Sequence, residues 1–163
     1  MSSRRPTIAP IVLGTLVVLA VAAPRAGDLP SPSPGSSPDG AAPPADIFAQ
    51  IERGWVLGSA DAVVEAFGQR KVYISLPDGG PAGGSFSRAQ SYFIFKGFFA
   101  DTRTEEFSFV SIRQLEEQPE TAVGLAERTF RKRDSSRALQ DRIYVALVRE
   151  NDRWVVSEIK SVR

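Results

Sequence analysis

The chain has 163 residues, a formal charge of +1 and 42% hydrophobic residues, enough for one folded domain with extensions. It contains neither Cys nor His. Those absences exclude disulfides, His-based nucleophile pairs and zinc sites built on either residue, and no cofactor or metal is expected. The near-neutral charge gives no electrostatic case for nucleic acid, which is held through strongly basic surfaces.

Arg4 and Arg5 precede an apolar run from Ile8 to Ala23 that ends in Ala20-Val21-Ala22-Ala23. A basic start, a short apolar middle and a small-residue exit predict a secretory signal peptide over 1–22, cut after Ala22. Its loss takes the formal charge from +1 to −1. As a helix the run would reach about 24 Å, against a hydrocarbon core of roughly 30 Å. No membrane span is therefore expected after cleavage, and the domain is placed in the periplasm or outside the cell. The alternative is a tether through an uncleaved N-terminal anchor. Residues 23–45 are rich in Pro, Ser and Gly with Leu29 as the one large aliphatic side chain, which predicts a disordered linker.

A single α+β domain is expected over 46–163. Asp46 is placed as the cap of a first helix carrying Ile47, Phe48, Ile51 and Trp55 on one stripe. Gly58 ends it, and Ser59 caps a second helix with Val63, Val64 and Phe67. Lys71 to Leu76 reads as a strand with Val72, Ile74 and Leu76 on one face. Pro77 to Ser85 reads as a mobile loop, and it lacks the spacing and the lysine of a phosphate loop.

Ser87-Arg88-Ala89-Gln90 is a capping box opening a third helix. Tyr92, Phe93, Ile94, Phe95, Phe98 and Phe99 crowd its faces, which predicts a largely enclosed helix at the centre of the core. Four strands follow: Glu106 to Leu115, Thr121 to Arg131, Leu139 to Arg149 and Arg153 to Val162. Turn signals at 117–120, 134–137 and 150–152 separate them and predict an antiparallel meander. The order is α-α-β-α-β-β-β-β.

That order resembles the nuclear-transport-factor-2-like, or cystatin-like, cone fold. The runs Val72-Tyr73-Ile74-Ser75-Leu76, Phe86 to Gln90, Phe98-Phe99 and Phe107-Ser108-Phe109 are similar to those of an exported bacterial family of unknown function with that fold. So are the endings Tyr144 to Leu147 and Arg153 to Ile159. The resemblance implies a curved antiparallel sheet wrapped around a long helix, a concave apolar site and a homodimer. It supplies no catalytic residue.

The sequence offers three candidate sites. A pocket between helices and sheet would be lined by Trp55, Tyr92 and Tyr144 and would take a small apolar ligand. A basic cluster of Arg128, Arg131, Lys132, Arg133, Arg137 and Arg142 surrounds the hairpin near Asp134. Its centre, Arg131 to Arg133, would meet anionic lipid headgroups or an acidic envelope protein. Third, the resemblance to ketosteroid isomerases implies a His-free isomerase or dehydratase. It would use Tyr73, Tyr92 or Tyr144 as donor and Asp101, Asp141 or Glu158 as base. A binding or interaction module is the leading reading, and the isomerase is the alternative.

Overall fold

The computed structural model describes residues 43–76 and 80–162. The expected signal segment, most of the linker and the centre of the glycine-rich loop lie outside the described residues.

Helix α1 (Pro44–Leu57) starts two residues before the expected cap. Pro43 is the cap and Pro44 the first helical residue, a position where proline's missing N–H costs nothing. Asp46 instead contributes a negative charge to the first turn, where it suits the helix dipole. Gly58 ends the helix at φ 62°, a left-handed conformation that disfavours a Cβ. The Ser59 hydroxyl accepts from the Ala62 N–H and caps α2 (Ala60–Glu65).

Strand β1 (Val72–Ser75) buries Val72 and Ile74, and Leu76 beyond it, as the alternation predicts. The loop expectation is corrected at its end. Gly84–Phe86 forms a short strand, β2, antiparallel to β1. Glycines that read as loop here let the chain turn back and add a hydrogen-bonded edge.

The capping box of Ser87 and Gln90 opens α3 (Arg88–Asp101). This helix is less enclosed than its composition suggests. Ser91, Phe95 and Phe98 are buried, whereas Phe93 is 70% exposed. One face packs inward, and the other aromatic residues flank it.

The meander follows as β3 (Thr102–Gln114), β4 (Thr121–Lys132), β5 (Ala138–Glu150) and β6 (Arg153–Val162). The sheet order is β2-β1-β6-β5-β4-β3, and β1 lies parallel to β6 while every other pair is antiparallel. The sheet is therefore mixed. Asn151 and Asp152, both at positive φ, make the two-residue turn between β5 and β6. Register breaks at Thr104/Glu106, Phe109/Ser111 and Ala146/Leu147 bend the long strands over the helices.

The core lies between the helices and one face of this sheet. Trp55 is its hub: Phe95, Phe98 and Phe99 meet the indole edge-on at 5.4–5.9 Å, and Phe107 stacks on it at 4.9 Å. Burying each such ring contributes roughly 1.5–3 kcal/mol. Strand β4 turns its small residues inward, with Ala122 and Ala126 buried on either side of Gly124. They form a trough for Phe48 of α1 and Phe109 of β3. A Cβ at Gly124 would stand 2.7 Å from atoms of both rings. We expect Gly124→Ala to destabilise the domain by about 1–3 kcal/mol through overpacking. A urea titration would read this, and an unchanged midpoint would show that the trough has slack.

Candidate functional site

The inward face of β4 continues past its small residues to Arg128 and Phe130. Arg128 is 2% exposed. Its Nε and Nη2 donate to the two carboxylate oxygens of Asp141 on β5 at 2.8 and 2.6 Å. The guanidinium carbon lies 3.9 Å from the Phe130 ring centre, 4.9 Å from Phe98 and 5.2 Å from Trp55. A buried charge is tolerated when a close counter-charge pairs with it, and Asp141 supplies that pair. The π faces add attraction that grows as water is removed.

Arg128 therefore does not belong to the surface cluster. It shares the parity of Ala122, Gly124, Ala126 and Phe130, which puts it on the core face. Arg142 has the opposite parity to its strand neighbours Ile143 and Asp141. It is exposed and pairs with Glu127. The basic cluster is thus divided by the sheet.

Arg131, Lys132 and Arg133 stay together at the end of β4. They border a groove of about 890 Å³ whose other walls include Val56, Leu57 and Gly58 at the end of α1, Phe99 of α3, and Arg103 to Glu105 of β3. Val56 is 48% and Leu57 76% exposed. Arg131 is committed to structure, since it pairs with Glu105 at 2.7 Å and donates to the Ser136 carbonyl. The Arg133 N–H donates to the Asp101 carbonyl, tying the hairpin to the end of α3. Arg103 stands opposite Arg131 across the β3–β4 ladder. Cations and apolar side chains thus share one concave surface.

The three residues expected to line a common pocket are not brought together. Trp55 is fully buried among rings. Tyr92 flanks the core on α3 beside Phe93 and Lys96. Tyr144 alternates with the buried Ile143 and Val145, which places it on the opposite face of the sheet from Trp55. Its ring carries the Lys160 ammonium at 4.6 Å.

The candidate acids and donors of the isomerase reading are likewise distributed. Asp141 is inside, with both oxygens held by Arg128. Asp101 is exposed at the end of α3. Tyr73 and Glu158 oppose each other across β1 and β6 on the outer face, next to Tyr144 and Lys160. Lys160 is held above the ordinary lysine value, chiefly by its hydrogen bond to Glu158 at 2.8 Å and against desolvation by burial. It is a cation at neutral pH and no nucleophile.

The buried pair makes an asymmetric prediction. Asp141→Ala leaves the guanidinium uncompensated and should cost about 3–5 kcal/mol. The double variant Arg128→Met/Asp141→Leu should recover most of that loss. Chemical denaturation of both chains checks this, and equal losses would mean that the pair itself contributes the stability.

No family model matches the sequence, and no curated protein matches it significantly. Solved structures do match the fold. A DUF4783 family protein from Bacteroides ovatus aligns at TM-score 0.55 and 13% identity, over 69% of this chain and 91% of its own. An NTF-2 like protein of unknown function from Shewanella oneidensis aligns at 0.54 and 14%, over 72% and 93%. A Bacillus subtilis protein provisionally named an isomerase aligns at 0.58 and 8%, over 72% and 83%. With the element order and sheet described above, these likenesses show that the domain has the nuclear-transport-factor-2-like fold.

Proposed function

We propose that the domain is a binding module whose groove docks on an anionic lipid surface. One observation carries this reading. Exposed Val56 and Leu57 share a groove with Arg103, Arg131, Lys132 and Arg133, against the single acid Glu105. Apolar side chains ringed by cations suit a headgroup boundary, where the chains enter the apolar layer and the cations meet phosphates. The alternative reading of the N-terminus, an uncleaved anchor, would hold the domain close to a membrane and fits this role. Among the described residues no helix is long and apolar enough to cross one, so contact would be peripheral. The isomerase reading lacks a comparable convergence, since its one interior carboxylate is clamped by Arg128.

The test is sedimentation with vesicles rich in phosphatidylglycerol, compared with phosphatidylcholine vesicles. Arg103→Glu/Arg133→Glu spares the hairpin anchor Arg131. At about 1 kcal/mol per cation near the surface, loss of two charges should weaken anionic-vesicle binding roughly thirtyfold or more. Leu57→Ser should weaken it independently of salt. Equal binding to both vesicle types would overturn the proposal. A loss on charge reversal with no effect of Leu57→Ser would point instead to an acidic protein partner.

A further inference from the structure

Among the described residues four buried side-chain polar atoms have no hydrogen-bond partner: Ser91 Oγ, and Trp55 Nε1, Thr104 Oγ1 and Arg128 Nη1, which belong to residues linked through the Arg128 guanidinium. Trp55 and Arg128 are in contact through the indole face. Thr104 stands opposite Phe130 across the β3–β4 ladder, and the Phe130 ring lies on the same guanidinium. An orphaned buried donor bears its full desolvation penalty, so natural cores carry few of them. Three on residues that share one guanidinium's surroundings are a notable concentration.

Their chemistry specifies the missing partner. The indole N–H and Nη1 can only donate, and the threonine hydroxyl is able to. The partner is therefore an acceptor. Asp141 already neutralises Arg128, so a second carboxylate would bury a net negative charge. A neutral oxygen would not. Thr104 and Phe99 both line the groove, and the Phe99 ring lies 5.6 Å from that of Trp55. Phe99 thus touches both the groove and the indole, and Thr104 belongs both to the groove lining and to the unpartnered atoms.

We infer that the groove continues past Phe99 and Thr104 into a subsite for a neutral carbonyl or ester oxygen on an apolar body, held by Trp55, Thr104 and Arg128. The inference rests on the groove being a ligand site and adds what it recognises. Phe99, only partly buried, is the side chain that must move.

The indole signals report on it directly, because the chain has two Trp residues. The ¹⁵N-labelled full chain is titrated with 2-octanone and, in parallel, with octanoate, the signals being assigned with Trp154→Phe. 2-Octanone is expected to move the Trp55 indole proton downfield saturably and leave that of Trp154 in place. Octanoate, whose charge stays with the rim cations, should leave both in place. Thr104→Val should weaken the ketone response about fivefold by removing one hydrogen bond, with the Trp154 signal reporting that the fold is intact.

An immobile Trp55 signal already at a hydrogen-bonded shift would assign the position to an internal water and overturn the subsite. So would equal movement of both indoles, or an equal response to octanoate. The two proposals fail separately. Arg103→Glu/Arg133→Glu that still binds anionic vesicles while the Trp55 signal follows 2-octanone removes the surface reading alone. Vesicle binding that depends on those cations, with an immobile indole, removes the subsite alone.

Discussion

Arg128 carries a full positive charge into a layer of rings formed by Trp55, Phe98 and Phe130, and Asp141 makes this tolerable by accepting two hydrogen bonds from it. The pair fixes β4 against β5 at one register, because a shift of one residue would turn Arg128 to solvent and leave Asp141 inside alone. It also fixes α1 and α3 above the sheet, since Trp55 comes from one helix and Phe98 from the other. An all-apolar core of similar volume could be as stable. What a buried charge adds is intolerance of alternatives, because each misplaced packing leaves it unpaired.

Strand β4 sets how close the helices approach. At Ala122, Gly124 and Ala126 its inner face is nearly flush with the backbone, and Phe48 of α1 sinks into it. Towards Arg128 and Phe130 the same face becomes bulky. The C-terminal end of α1 leaves Val56 and Leu57 exposed. The groove lies where α1, α3 and the ends of β3 and β4 meet without filling the space between them. Its mixed character follows from those parts: apolar residues from the helix ends, and charges from strand ends that carry arginines at their edges.

Much of the fold was legible in the sequence. The Ser59 cap, the Gly58 stop, the Ser87 capping box and the Asn151-Asp152 turn are local chemistry, decided within a few residues. Strand β2 was not legible, because Gly84 and Ser85 carry no strand signal and the strand exists only by pairing with β1. The site was half legible. Arg131 to Arg133 stand together because they are neighbours in the chain. Trp55 and Tyr144 were grouped by type, and the sheet separates them. Arg128 was grouped with its basic neighbours, although its parity with Gly124, Ala126 and Phe130 was readable.

By itself the sequence determined that no Cys or His is available, the order of the elements other than β2, and the alternation along the long strands, since these are set by residue type and short-range spacing. Only the tertiary structure decided which face of β4 and β5 turns inward, where both faces carry apolar residues. Period-two alternation is symmetric between faces until helices cover one of them. That choice put Arg128 and Asp141 inside and Tyr73, Tyr144 and Glu158 outside.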